Sequence, residues 1–513
     1  MKSIKRINLI RLSLLIVPLM TADPLWGQSD RMVSDIDNVH VYWSSELLPG
    51  SKRWFTDPPK DEDIKYRVSP QKDIEWALFK SGDGTVFRID TSTTYHSLLG
   101  IGTSLEATSL YALMKGKNEK QIRDLIRLIL DPEKGMGLNL FRITIGTSDF
   151  SDGRKYSNNP KGFYTYQDRQ DKPFSIKPDI DFGIVKILKF FVDEAAALNQ
   201  EIKFFASEWS PPAWMKSSEN IIGGTLKAGV EKKIALYFRM FIEAYEKEGI
   251  PIYAITIQNE PNFTPDSYPG MKLTPEQEKD IAVAVYEEFN DTTGGKRHID
   301  SRIWINDHNM NHWVNASKVL NYLIDAGKYQ AVDGVAFHNY NPLASPANMS
   351  RLKKLYPDKD IHLTEHSEWG ASGMWNIQDY FLNWSRSYCY WVPMTTINLE
   401  EHNQGPYNNI AELSPTLFIE RGIEASDMHV TPEFYLLSQF SKFIRPGAVR
   451  IECNRGSEKK ITSVVFRNCD RSMVQVLVNQ TNAEKKFTTV VGSSCFTGVL
   501  PAGTVGTFMW KNN

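Results

Sequence analysis

The sequence predicts an α/β fold, a (β/α)8 TIM barrel with an associated small antiparallel β-sandwich. Three observations carry that prediction. From about residue 95, short runs rich in Ile, Val, Phe and Leu alternate eight times with longer amphipathic stretches, the sequence image of a β/α barrel. Each run is apolar at its front and polar at its back, as expected where strand ends share one functional rim. After about residue 445 the pattern becomes short alternating runs separated by turns, which reads as antiparallel β structure. A chain of 513 residues fits one large domain and one smaller module.

Residues 1–27 read as a secretory signal, because Lys2, Lys5, Arg6 and Arg11 lead into the apolar run Leu12 to Met20. That run is too short for a stable membrane span, so a secreted or periplasmic protein with no integral membrane span is expected. Residues 28–94, with alternation in TVFRID (85–90), are expected to add strands to the sandwich. The barrel is assigned to 95–445. Its strands are HSLLGIGTS (96–104), LNLFRITIG (138–146), IKFFASEWS (202–210), IYAITIQNEP (252–261), RIWINDHN (302–309), DGVAFHNYN (333–341), DIHLTEHSEW (360–369) and VPMTTINLEEH (392–402). Helices are expected between them, among them DFGIVKILKFFVDEAAALN (181–199) and EKKIALYFRMFIEAYEKEG (231–249), the second ending at Gly249. The C-terminal sandwich is assigned to 446–513, with strands ITSVVFRN (461–468), SMVQVLVNQ (472–480), KFTTVVG (486–492) and VGTFMWK (505–511).

Charge is balanced, 59 basic against 61 acidic side chains, so nothing electrostatic suggests nucleic acid or an anionic membrane as partner. Aromatic residues make up 12%; they serve core packing or platforms for pyranose rings, and composition does not choose. Of the four Cys, three come late (Cys453, Cys469, Cys495). A pair such as Cys453 with Cys469 and buried free thiols are both open.

The rim residues point to chemistry. Breaking a glycosidic bond needs a proton for the departing oxygen and electron density at the anomeric carbon, and two carboxyl groups supply both. Glu260 ends the fourth run and Glu365 the seventh, so their ends face each other across a barrel mouth. A separation near 5 Å would mean direct attack and retention. Asn259 precedes Glu260 and is placed to donate to a sugar 2-hydroxyl; Pro261 follows and turns the chain away. Arg142 lies mid-run among apolar residues, where an unpaired charge is costly. It is expected to pair with a carboxylate and help keep Glu365 ionised; the plainer alternative is a structural ion pair under the rim. Asp149, Trp209, His338 and Tyr340 are candidate sugar contacts, with core packing as the competing role for each. His366 and Glu368 flank Glu365 and either tune it or are solvated.

These segments resemble glycoside hydrolase family 30, which includes lysosomal glucosylceramidase and microbial β-1,6-glucanases. The resemblance rests on FRITIGTSDFS (141–151), FFASEWSPPAWMK (204–216), ITIQNEP (255–261), VAFHNY (335–340), LTEHSEWG (363–370), INLEEHNQGP (397–406) and PEFYLLSQFSKFIRPGA (432–448). SPPAWMK, QNEP and FSKFIRPG are its specific parts. It implies a retaining β-glycosidase acting by double displacement without cofactor or metal, with Glu260 as acid/base and Glu365 as nucleophile. It also implies that Arg142, Asp149, Trp209, Asn259, His338, Tyr340 and Asn398 line the sugar subsite. A carbohydrate is then the expected partner, glucosidase- or β-1,6-glucanase-like, with β-xylosidase, β-galactanase and β-fucosidase activities as alternatives on the same fold. The chain departs from the family pattern at four places: Glu106 for a usual Asp after the first strand, Glu208 for a Pro, Asn339 for a common Trp, and Ile397 for an aromatic. These changes suggest a more acidic, less aromatic rim, and bear on the sugar rather than on catalysis.

Two rivals remain. A metal-dependent barrel hydrolase would use His308 and His312, spaced to share a helix face, with Asp307 and His338; it lacks HExxH and any HxH on the first strand. A sugar-binding protein without catalysis would keep the rim and not turn over.

Overall fold

The computed structural model describes residues 37–48, 61–151, 162–396, 417–420 and 428–511. The expected signal peptide, and Asn398 and Ile397 with it, lie outside the described residues.

Eight parallel strands close into a barrel: Gly100–Ser104, Leu140–Ile145, Lys203–Glu208, Ile252–Thr256, Arg302–Asn309, Gly334–His338, Asp360–His366 and Ser385–Tyr390. Strands consecutive in sequence are neighbours, and the eighth pairs with the first through Tyr388 and Ile101. The first seven fall inside the runs read from the sequence. The eighth corrects that reading. It is SRSYCY, not the run at 392–402, of which Met394–Thr396 joins a small sheet with Phe418–Glu420 and Met428–Val430. This strand has no Ile, Val or Leu; its buried serines satisfy themselves on backbone groups instead, Ser385 Oγ donating to Ser387 O at 2.6 Å.

The interior of the barrel sets the position of the site. Leu140, Phe205, Ala254, Trp304, Ala336 and Cys389 form one apolar layer inside it, with Phe205 and Trp304 ring centroids 5.3 Å apart and His362 stacked on Trp304 at 4.0 Å. Side chains two residues further along a strand lie on the same face. Above Leu140, Phe205, Ala254 and Ala336 therefore come Arg142, Ser207, Thr256 and His338, all fully buried. Burying a large side chain of the lower layer stabilises by about 1.5–3 kcal/mol; the polar layer above must instead satisfy its own hydrogen bonds.

The helix expected over 181–199 is two, Lys177–Phe182 and Ile184–Ala197, separated by Gly183. At φ +98°, Gly183 has a backbone that a residue with a Cβ rarely adopts. The helix expected over 231–249 runs Glu231–Lys247.

The other module is a single ten-stranded sheet folded over into a sandwich. Strands from both chain ends contribute: His40–Ser45 pairs with Thr504–Trp510, and Thr85–Ser97 pairs with Val449–Cys453 and Lys485–Val491. Phe487 and Phe496 come from one end of the strand order and Phe508 and Trp510 from the other, yet their rings meet at 5.0–5.9 Å. Gln378 Nε2 donates to Val476 O, and Gln439 Nε2 to Ser44 Oγ, both at 2.8 Å, tying this module to the barrel helices. All four cysteines are free thiols, so no Cys453–Cys469 bridge exists.

Candidate active site

Arg142 is the hub of the polar layer. With no exposure, its guanidinium donates to Glu365 Oε2, to Asp307 Oδ2 at 2.9 Å, to Asn259 Oδ1 at 2.7 Å and to Ser207 Oγ at 3.0 Å. The carboxylate pairing expected of Arg142 is therefore present, with two acids rather than one. Its charged face also packs on Trp209, 4.5 Å from the ring centre, with Trp391 beyond at 6.0 Å. With its Oδ1 accepting from Arg142, Asn259 is left its amide N–H groups to offer a ligand.

His338 joins the two glutamates. Its Nδ1 is 3.3 Å from Glu260 Oε1; its Nε2 lies 3.1 Å from Asp307 Oδ1 and 3.8 Å from Glu365 Oε2. Glu260 and Glu365 thus stand on the two nitrogen edges of one imidazole ring. Glu365 sits within the seventh barrel strand and is nearly buried. Glu260 lies four residues past the fourth strand, at φ +49°, a conformation costing a non-glycine residue about 1–3 kcal/mol. Two backbone bonds hold it there: Asn259 N donates to Glu208 O at 2.7 Å and Glu260 N to Asp307 O at 2.9 Å.

Asp307 was read from the sequence only as a possible metal ligand. It is a structural centre of this layer. Its Oδ1 receives His338 Nε2 and Thr364 Oγ1 (2.6 Å); its Oδ2 receives Arg142, Ser207 Oγ (2.9 Å) and Thr256 Oγ1 (2.7 Å). It reaches that position through a bulge. Counting by twos from Trp304 puts Asn306 inward, but Asn306 and Asp307 take φ +74° and +39°, and the register with the sixth strand slips between Val335 and Phe337. The slip turns Asp307 inward.

Electrostatics follow from this packing. Burial alone would push Asp307 up, yet Arg142 and then His338 hold it well below the usual carboxylate range. Burial would lower His338, but Glu365, Asp307 and Glu260 raise it to about 10. Glu260, opposed by its own burial, is held below its ordinary value by the adjacent His308 and His338 imidazoles. With Glu260 lowered and His338 raised, the imidazole holds a proton more strongly than the carboxylate in the free site. Asp149 goes the other way, raised well above its ordinary value by burial and by Glu365, Glu106 and Glu260. Packed against the same charge cluster, its charged form is disfavoured.

The remaining expectations divide. Trp209 is buried and packed with Phe150, Trp391 and Val392. Tyr340 stands on the rim, 43% exposed, edge-on to His366 at 4.9 Å. His366 is half-buried and Glu368 buried; Glu368 accepts from Tyr380 Oη and Asn376 Nδ2, and burial pushes it up to about 8. The expected acidic rim is not found at Glu106 or Glu208. Glu106 is buried and accepts from Ser104, Thr144 and Ser148 hydroxyls. Glu208 is 1% exposed and electrostatically coupled to buried Lys216. Asn339 donates to Tyr380 Oη at 2.6 Å. His308 and His312 do not share a helix face: His308 ends the fifth strand, and His312 stacks on it from the following turn at 4.1 Å. Asp307 and His308, read from the sequence only as metal-ligand candidates, belong to the site, as does Tyr268, which the sequence did not single out and whose phenol is raised by burial and by Asp149, Glu260 and Glu365.

Comparison with known proteins agrees with the barrel-and-sandwich fold. Residues 99–444 match the glycosyl hydrolase family 30 TIM-barrel domain, and residues 447–508 match the family's β-sandwich domain. The chain is 29% identical to a putative glucosylceramidase 2 of Caenorhabditis elegans, covering 77% of this chain and 76% of that one. It is 27% identical to the endo-1,6-β-D-glucanase neg1 of Aspergillus fumigatus, covering 80% and 87%. The solved endo-β1,6-glucanase BT3312 superposes with a TM-score of 0.76 at 22% identity, over 93% of this chain and all of that one.

Proposed function

This chain belongs to glycosyl hydrolase family 30 and is a retaining β-glycoside hydrolase, and from that premise we propose that Glu365 is its nucleophile and Glu260 its general acid/base. One observation carries the assignment: both carboxyls meet the same buried imidazole, His338, from its two sides. Glu365, paired with Arg142, attacks the anomeric carbon, and the leaving oxygen takes a proton from Glu260. As the glycosyl ester forms, Glu365 loses the negative charge that most strongly supports the proton on His338. That proton is released toward Glu260 as the leaving group needs it. Water, deprotonated by Glu260, then hydrolyses the ester with overall retention.

The substrate we propose is β-linked glucose, with β-1,6-glucan first, in line with the glucanase relatives. The rim supports an extended ligand, since Tyr340, Phe263 and Trp369 are 37–44% exposed there. A glucosylated amphiphile is the second reading, favoured by Leu343 at 87% exposure beside Tyr340. The basic and apolar pattern of residues 1–20 supports secretion; among the described residues no helix is long and apolar enough to cross a membrane.

The test is substrate turnover by two variants. Glu365→Ala abolishes hydrolysis of every glycoside, with azide or formate restoring it and giving inverted product. Glu260→Ala loses about 10²–10⁴-fold on leaving groups that need a proton and far less on dinitrophenyl glycosides. Equal losses on both kinds refute Glu260 as the acid. Parallel rates on β-1,6-glucan, on aryl gluco-, xylo-, galacto- and fucosides and on a glucosylceramide rank the substrates.

A further inference from the structure

We infer that Glu260, His308 and His338 form a binding site for a zinc-type divalent cation, and that occupation of this site switches the enzyme off. The inhibitory half rests on the acid/base reading of Glu260; the binding half does not. One donor atom from each residue lies within 4.8 Å of the others. Glu260 Oε1 is 3.4 Å from His308 Nδ1 and 3.3 Å from His338 Nδ1. Ligands about 2.0–2.1 Å from a tetrahedral zinc are separated from each other by roughly 3.3–3.4 Å. The two Glu260 edges match that figure before any movement.

The surroundings are those of a ligand set. A metal-bound imidazole characteristically gives its other nitrogen to a carboxylate, which fixes ring and tautomer. His338 does this, with Nε2 on Asp307 at 3.1 Å, and its Nδ1 turned toward Glu260. His308 is held flat by His312, whose ring stacks on it at 4.1 Å and 11°. The His308 Nδ1 atom is buried and makes no well-aligned hydrogen bond, although it lies beside Glu260. Charge favours a dication as well. Glu260, Asp307 and Glu365 surround His338 while Arg142 supplies one compensating charge; once the cation displaces the proton from His338 Nδ1, two negative charges remain for it to neutralise. Glu260 keeps 19% of its side chain exposed, so entry is from the barrel mouth. Two imidazoles with one carboxylate select zinc or copper over calcium or magnesium, which prefer oxygen cages. The consequence is direct: a carboxylate oxygen bound to metal cannot carry a proton to a glycosidic oxygen.

The experiment is titration of the metal-free full chain with zinc sulfate, read by calorimetry, beside initial rates on an aryl β-glucoside. One equivalent of zinc binds, rates fall with the same midpoint, and EDTA restores them. His308→Ala and Glu260→Gln each weaken zinc binding by about 100-fold or more, while a calcium titration gives no heat. Because a variant can misfold, zinc K-edge absorption on the wild type provides the second measurement, with two histidine nitrogens and a carboxylate oxygen expected. No stoichiometric binding, or a first shell without two imidazoles, overturns the site. Binding with full retained activity supports the site and refutes Glu260 as acid/base, so the two readings fail separately.

Discussion

Replacing Asp307 with Asn changes one oxygen into an amide and tests whether this buried carboxylate organises the active site. The wild-type side chain makes five contacts, and every one delivers an N–H or O–H to it. An amide offers only one acceptor oxygen. If that oxygen faces His338 and Thr364, the amide N–H groups point at Arg142, which can only donate, and at the Ser207 and Thr256 hydroxyls, which must turn round to accept. If the amide is flipped, it donates to His338 Nε2, which moves the imidazole proton to Nδ1 and leaves Glu260 only a donor to face. The first orientation leaves a fully buried guanidinium with Glu365 but with an N–H in place of its second carboxylate, a loss of about 1.5–3 kcal/mol. The second keeps the proton off Glu260 and removes acid catalysis, about 10²–10⁴-fold. Urea unfolding gives the stability, and kcat/KM on an aryl glucoside with a poor leaving group gives the catalysis. At least one must fall by these amounts. A variant with the wild-type unfolding midpoint and wild-type kcat/KM refutes the reasoning, because neither orientation of the amide gives both Arg142 and the His338 Nε2–H an acceptor.

Two further predictions concern the other acids. Burial against the carboxylate cluster disfavours the charged form of Asp149, so it is expected to act as a hydrogen-bond donor; Asp149→Asn keeps a donor and stays within about ten-fold of wild-type kcat/KM, whereas Asp149→Leu loses about 10–100-fold, and the opposite order of the two variants removes the donor reading. Stability is expected to peak in mildly acidic solution, followed as Tm against pH. Burial raises Glu278 and Glu433 to about 7 and Glu368 to about 8, so their contribution is complete below the ordinary glutamate value of about 4.3 and is lost as pH rises through 7 to 8. Asp307 and Glu260 are depressed, so theirs is present above the ordinary carboxylate range and is lost as pH falls below it; a stability maximum at pH 8 or above contradicts this balance.

What could be read from the sequence was decided by whether a residue kept the strand period. Arg142 lies mid-run among apolar neighbours, so its need for a carboxylate partner was legible from the cost of an unpaired charge there, and its inward placement fits the strand period from Leu140. Glu365 was legible as the polar end of an apolar run, and Glu260 from its Asn-Glu-Pro setting. The eighth strand was not legible, because Ser385 and Ser387 bury themselves through backbone hydrogen bonds and leave no apolar pattern to count. Glu106 and Glu208 misled for a related reason. A carboxylate near a strand end looks solvated in sequence, and only packing reveals three hydroxyls closing over Glu106.

Asp307 shows why the most connected residue of the site was also the hardest to find. The alternation that identifies Arg142 points to Asn306 as the inward residue after Trp304, and that inference holds only while the backbone stays extended. Asn306 and Asp307 both leave the extended region for positive φ, which Asn and Asp tolerate better than other non-glycine residues. No periodic pattern records such a turn. The bulge is held from outside the barrel, where Asn306 N donates to buried Glu278 at 2.6 Å, and from its far side, where Asn306 Nδ2 donates to Ala336 O at 3.0 Å. Strain at the fifth strand is thus stabilised by a helix, Pro275–Asn290, that touches no substrate. The energy that turns Asp307 toward Arg142 and His338 comes from contacts a strand-by-strand reading treats as scaffold. A residue such as Glu278 therefore belongs to the chemistry through the geometry it maintains.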